Sequence, residues 1–224
     1  MKSYKKSNIV ITPFTQLLIN KPPWGQYSAS SWSGTTLTDL TGNGRNATIS
    51  NLTNGSASGN GATASISYLA GSTTGTILWP AGSIPSTFTI ASITRYATIG
   101  ARGRILNGTT MNFLLGHWSS RRGVAFNEGF RQSINTGTLI NWVGMVFTNG
   151  TNVANNVMVD GISITESTGG LGGSDLRING PGACPESSEF EFSQLIIWNQ
   201  ALTSAEMNVV STALNTYLTT GTLR

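Results

Sequence analysis

The sequence predicts an all-β fold, a two-sheet antiparallel sandwich with one short C-terminal helix. Three observations point there. Only 10% of the 224 residues are charged, while Gly, Ser, Thr and Asn abound, a composition poor in the residues that build helical bundles. Short runs of β-branched and aromatic residues alternate with Gly- and Asn-rich turns. One segment near the end joins a helix start signal to helical apolar spacing. Six Trp, eight Phe and many aliphatic residues supply a core that a disordered chain would lack.

Residues 1–23 read as an N-terminal arm, and the sandwich domain spans 24–224. The arm holds all four lysines and ends in Lys21-Pro22-Pro23, which continues neither a helix nor a central strand. Asn8, Thr12, Pro13, Thr15 and Gln16 interrupt any signal-peptide core. No run approaches the roughly 20 apolar residues of a membrane helix. The cluster Thr41-Gly42-Asn43-Gly44 predicts a turn. "NGSASGNGATAS", residues 54–65, reads as a loop. "TFTIASITRY", "INWVGMVFT" and "EFEFSQLIIW" are the firmest strands. Asp160-Gly161, between two alternating apolar runs, predicts a hairpin. "STGGLGGSD" is a second loop. In "LTSAEMNVVSTALNTYL" the pair Thr203 and Glu206 forms a capping box, and Leu202 with Met207 a hydrophobic staple. Met207, Val210, Leu214, Tyr217 and Leu218 then recur at helical spacing.

Three of these stretches together resemble the concanavalin A-like jelly roll, in its laminin-G-like branch. They are "WSGTTLTDLTGNGRNATI", "NNVMVDGISI" and "FSQLIIWNQALTSAEMNVV", similar to that family's opening strand and turn, its central hairpin, and its closing strand with a helix. The middle of the chain resembles a subgroup from large algal viruses. The resemblance implies a sandwich that serves lectins, adhesion modules, glycan-cleaving enzymes or virion components, so function must come from residues.

Glycan cleavage asks for two carboxylates flanking one bond. The nearest approach is "ESSEFEF", where period two makes Glu189 and Glu191 a solvent-facing pair opposite buried Phe190 and Phe192. His117 is the only histidine and Cys184 the only cysteine, so neither a metal cluster nor a disulfide is expected. Asp39, Asn43, Asp160 and Asp175 are the oxygen ligands available to calcium, but Asp160 is explained by its hairpin and Asp39 by Arg45. Between Arg95 and Arg131 lie six arginines and one acid, Glu128. At a net charge of +4 the chain falls short of a nucleic-acid binder. Five Asn-x-Ser/Thr sequons begin at Asn46, Asn51, Asn54, Asn107 and Asn149.

The stretch "GHWSSRRGVAFNEGF", residues 116–130, concentrates what remains. It reads as two strands around Ser119-Ser120, with Val124 and Phe126 alternating against Ala125 and Asn127. Arg121 and Arg122 point to opposite faces, one of them pairing with Glu128 or covering apolar surface with its stem. Trp118 is read as core. The sequence thus predicts a non-enzymatic structural component of a virion or similar assembly, at a virion or extracellular surface. The arm would contact other subunits, and no cofactor, metal, nucleic acid or membrane is expected. The alternative is a lectin or adhesion module for algal or microbial polysaccharide, with His117, Trp118, Arg121 and Arg122 binding the glycan. A glycan-active enzyme is the third reading.

Overall fold

The computed structural model describes residues 11–100, 102–151 and 155–224. Its elements in chain order are α1 (Pro13–Asn20), β1 (Gly25–Ser28), β2 (Trp32–Ser33), β3 (Thr36–Leu37), β4 (Ala47–Gly59), β5 (Ala62–Leu78), β6 (Thr89–Tyr96), β7 (Leu106–Gly108) and β8 (Phe113–Trp118). There follow β9 (Arg121–Asn127), β10 (Phe130–Gln132), β11 (Val143–Thr148), β12 (Val157–Val159), β13 (Ile162–Ser163), β14 (Leu176–Ile178), β15 (Phe190–Trp198) and α2 (Ser204–Thr220). The strands hydrogen-bond in the order β10-β9-β8-β7-β14-β5-β15-β6-β11-β12-β13, with β1 added to β15 and β4 to β5.

This path curls into two layers. β5 changes partner along its length, from β15 at Leu69–Gly71 to β14 at Ile77–Leu78, and so belongs to both. Layer one holds β7–β10 and β14. Layer two holds β6, β11–β13 and β15, and β8 packs across the gap on β6 and β11. The main core fills that gap. Phe88 sits edge-on to Phe113 at 5.8 Å and to Phe147 at 5.3 Å, the geometry that the ring quadrupoles favour. A second apolar cluster lies on the outer face of layer two, where Ala91, Ile93, Val146, Ile196 and Trp198 are covered by the helices.

The closing strand shows how sequence serves both clusters. Phe190 and Phe192 face the main core, as do Leu195 and Ile197. The parity changes because a bulge at Ser193 interrupts the pairing with β6 between Phe192 and Gln194, and one extra residue flips every later side chain. Ile196 and Trp198 therefore face the helices. Glu191, expected in solvent, is buried on the outer side and held by Arg95 at 2.6 Å. Burial pushes its carboxyl above the usual range against the pull of Arg95. Glu189 instead accepts a hydrogen bond from Thr98 Oγ1.

Helix α2 begins at the expected Thr203–Glu206 capping box, with the Glu206 N–H donating to Thr203 Oγ1 and the Thr203 N–H to Glu206 Oε2. It ends at Gly221 in the left-handed conformation, the usual glycine stop. Leu202, Met207, Val210, Leu214, Tyr217 and Leu218 are all buried.

Two expectations need correction. Residues 54–65 are not a loop but the end of a long β4–β5 hairpin, closed by Asn60 and Gly61 at φ 50° and 87°. These strands are polar because solvent reaches most of β4 beyond Ile49, so no apolar alternation marks them. The arm is likewise not held apart. Residues 1–10 lie outside the described residues, but α1 docks on α2 of its own domain. Thr12 caps it, Pro13 opens it, and Phe14 and Leu17 join the second cluster. Beyond it, Trp198 Nε1 donates to the Lys21 carbonyl at 2.9 Å, and Lys21 Nζ meets Glu206 at 2.7 Å. We expect Phe14→Ala to lower the unfolding free energy by about 3 kcal/mol in urea denaturation. An unchanged midpoint would mean that α1 does not stay docked in solution.

Candidate functional site

The β8–β9 hairpin sorts the four predicted site residues into two pairs. Ser119 and Ser120 make the turn with φ 46° and 66°. Trp118 then faces Arg121, and His117 faces Arg122. Plain alternation would put Arg122 on the side of Phe126. A bulge between Gly116 and His117 adds Gly123, at φ +78°, to β9, and Arg122 turns toward His117 instead.

His117 is fully buried, with its ring 4.8 Å from that of Tyr96 in the main core. Burial, followed by the Arg122 guanidinium, pushes its pKa down to about 3, while the carbonyls of Asn141 and Leu139 pull the other way. Neither ring nitrogen closes a hydrogen bond among the described residues. Arg122 is buried too. It pairs with Asp160 at 2.6 Å and donates to Thr136 Oγ1 and to the carbonyls of Asn141 and Trp142. Arg122 thus ties β9 to the Asp160-Gly161 turn, and with Asp160, Trp142 and Asn215 it lines a separate hollow of about 240 Å³ on the helix side.

The other pair is accessible. Trp118 is half-buried rather than core, because among the described residues no helix lies over the outer face of layer one. It packs 5.7 Å from Phe130, which in turn meets Phe126 edge-on at 5.0 Å. Register sets the two phenylalanines opposite each other, across a turn in which Glu128 takes φ 53°. The Glu128 carboxylate accepts from the Asn112 N–H at 2.8 Å rather than from Arg121. The Arg121 guanidinium lies 5.8 Å from the Trp118 ring centre, within cation–π range. Leu114 floors the patch and Arg104 walls it, 5.8 Å from Phe126 and anchored by Glu186 at 2.8 Å. Together they enclose a shallow cavity of about 110 Å³. Val124, Ala125 and Asn127 are all buried, so the expected one-sided alternation of β9 does not hold.

The site is thus an aromatic patch of Trp118, Phe126 and Phe130 between Arg104 and Arg121. Phe130, Phe126 and Arg104 are the members that the sequence did not predict as site residues, Phe126 being read only as part of a strand. The Asn127-Glu128-Gly129 turn between two phenylalanines was the available signal for the first. The calcium candidates lie apart from the patch, and the three carboxylates among them are engaged, Asp160 by Arg122. Asp39 accepts from Gln26 N, Thr41 N and Arg45 N, and Asp175 from Gly82 N at 2.7 Å.

Solved structures now place the fold. The chain is similar to Trypanosoma rangeli sialidase in complex with sialic acid, at 17% identity and a TM-score of 0.57, over 88% of this chain and 33% of that one. It is similar to domain 4 of AbnA, a GH43 extracellular arabinanase from Geobacillus stearothermophilus, in complex with arabinotriose. That likeness has 15% identity and a TM-score of 0.59, over 84% of this chain and 97% of the other. A third neighbour is the binding domain of Paraclostridial Mosquitocidal Protein 1, with 14% identity, a TM-score of 0.56, and 87% and 52% coverage. No family model and no curated protein matches.

The β-sandwich expectation stands, and the narrower viral subgroup finds no support in a family match. The expectation of a non-enzymatic chain is overturned, since the structures that share its fold include sialidases and an arabinanase domain. The chain spans about a third of the sialidase chains that it matches. At this identity the likeness shows the fold and assigns no catalytic residue.

The buried histidine yields a test. In the unfolded chain His117 titrates near 6.5, and in the folded protein near 3. Between these values the unfolded state binds more protons, so stability falls as pH drops, by up to about 1.4 kcal/mol per pH unit. Chemical denaturation across that range should show the slope in the wild type, and His117→Gln should remove that share of it. Parallel slopes in the two proteins would show that His117 is not buried as a neutral ring.

Proposed function

We propose that this chain is a glycan-binding β-sandwich module. The observation that carries the reading is the patch of Trp118, Phe126 and Phe130 on the open face of layer one, with Phe130 37% exposed. Sugar rings present C–H faces that pack on aromatic side chains, while a few polar groups fix their hydroxyls. Around the patch, Arg102, Arg121 and Arg131 pair with no carboxylate among the described residues. They bond to hydroxyl and carbonyl oxygens only, Arg102 to Ser120 Oγ and Arg131 to Ser167 Oγ. A cationic rim around an aromatic floor favours sugars that carry carboxylate or sulfate groups. Support comes from the arabinanase domain, seen with arabinotriose, and from the sialidase, seen with sialic acid. Such a module acts where glycans are displayed, at the surface of a cell or a particle.

Binding of acidic oligosaccharides on a glycan array, followed by calorimetry, tests this. Trp118→Ala and Phe130→Ala should each weaken binding by about tenfold or more, equivalent to about 1.4 kcal/mol. Trp118→Ala should cost less stability than the roughly 3–5 kcal/mol of a buried aromatic. Arg121→Gln should weaken binding and flatten its salt dependence. The reading fails if acidic glycans do not bind, or if they bind Trp118→Ala as they bind the wild type.

A further inference from the structure

The hollow of about 240 Å³ on the helix side is separate from the patch. Gly61 at the tip of the β4–β5 hairpin, the Asp160-Gly161 turn and the last turns of α2 bound it. Trp142 and Leu218, both buried, supply apolar surface, and the Arg122–Asp160 pair supplies charge. Its volume falls below the roughly 300–1,000 Å³ of sites for drug-sized ligands, so it suits one sugar-sized unit rather than a chain laid lengthwise.

The polar groups are set before any ligand arrives. Arg122 is buried, and besides Asp160 it is held by the carbonyls of Asn141 and Trp142 and by Thr136 Oγ1. Asp160 meets Arg122 through Oδ2 at 2.6 Å and accepts from the Gly144 N–H through Oδ1 at 3.1 Å. Its side chain is still 33% exposed, and each carboxylate oxygen keeps a lone pair to spare. Asn215 on α2 completes the set. Its Nδ2 lies 2.9 Å from where a Cβ at position 161 would stand. Gly161, at φ 85°, therefore lets the amide close over the turn, as a residue with a side chain would not. Among the described residues that amide makes no intramolecular hydrogen bond, whereas the Asn215 carbonyl accepts from Thr219 Oγ1 at 3.2 Å. Groups held this way lose little freedom on binding.

The charges in and around the hollow cancel. Arg122 neutralises Asp160, and the Arg95 guanidinium that lies 5.2 Å from the Trp142 ring centre is paired with Glu191. An ammonium group or an anion would give up hydration here for no net attraction. A hydroxyl has no charge to desolvate. It donates to the Asp160 carboxylate, the stronger kind of hydrogen bond, and accepts from the Asn215 amide. Neighbouring hydroxyls on a ring with an apolar face match a carboxylate, an amide and an apolar wall. We infer that this hollow is a second sugar site, which takes one unit of a neutral sugar. Asp160 and Asn215 are its polar contacts, and Arg122 is the residue that positions Asp160. Arg121 and Arg122, adjacent in the chain, thus serve different sites. This one shares no residue with the Trp118 patch and does not rest on binding there.

Saturation-transfer NMR with glucose, galactose, mannose, xylose and arabinose, followed by titration of isotope-labelled protein, tests the inference. At least one sugar should bind and shift the indole N–H signal of Trp142. Asn215→Ala should weaken that binding by about tenfold or more. Thr219→Trp should fill the hollow and abolish it. Neither position is buried, so both variants should keep the wild-type unfolding midpoint. Added salt and Trp118→Ala should leave binding within about twofold. The inference is overturned if none of the five sugars binds the wild type, if binding survives both α2 substitutions, or if Trp118→Ala abolishes it. Loss of acidic-glycan binding with neutral-sugar binding kept would remove the patch and leave this site standing.

Discussion

Strand β15 is buried along its whole length and on both sides, and the rest of the molecule is arranged around that constraint. It pairs with β1, β5 and β6, so its backbone is satisfied within layer two. Its side chains must fill two separate apolar volumes. The extra residue at Ser193 lets one strand do so, with four large residues inside the sandwich and two beneath the helices. Because α2 follows β15 after a short connection, it folds back on the same layer, and α1 joins it there. Among the described residues all helical cover goes to layer two. The outer face of layer one keeps its aromatic side chains open, and that asymmetry makes a binding patch possible.

Much of this was legible in the chain and some was not, for identifiable reasons. The capping box, the staple and the Asp160-Gly161 hairpin are local, and local chemistry decides them. The tip of the β4–β5 hairpin was missed because solvent reaches nearly every β4 side chain beyond Ile49, so polarity concealed the extended backbone. Helix α1 was missed because Pro22 and Pro23 spoke against regular structure, although Thr12-Pro13 is a proper helix start. Glu191 looked solvent-facing because period two ignores a partner that arrives from another strand, here Arg95.

The site followed the same pattern. Residues 116–130 were rightly marked as two strands around a serine turn. Their division into a buried pair and an open pair depended on one inserted glycine, Gly123. Without that bulge Arg122 would stand beside Phe126, and the patch would carry a cation tied to no carboxylate. With it, Arg122 is used up inside by Asp160 and only Arg121 remains over Trp118. Phe130 lies too near Phe126 in sequence to look like a partner. The tight turn between them makes it one.

The helical cover also settles how the domain hangs in space. Pro13 and Arg224 line one small hollow beside α2, so the two ends of the described chain emerge as neighbours. Both lie on the helix-covered side, away from Trp118. Polypeptide joined after Arg224 would hold the module from behind, like a handle, and leave its open face forward.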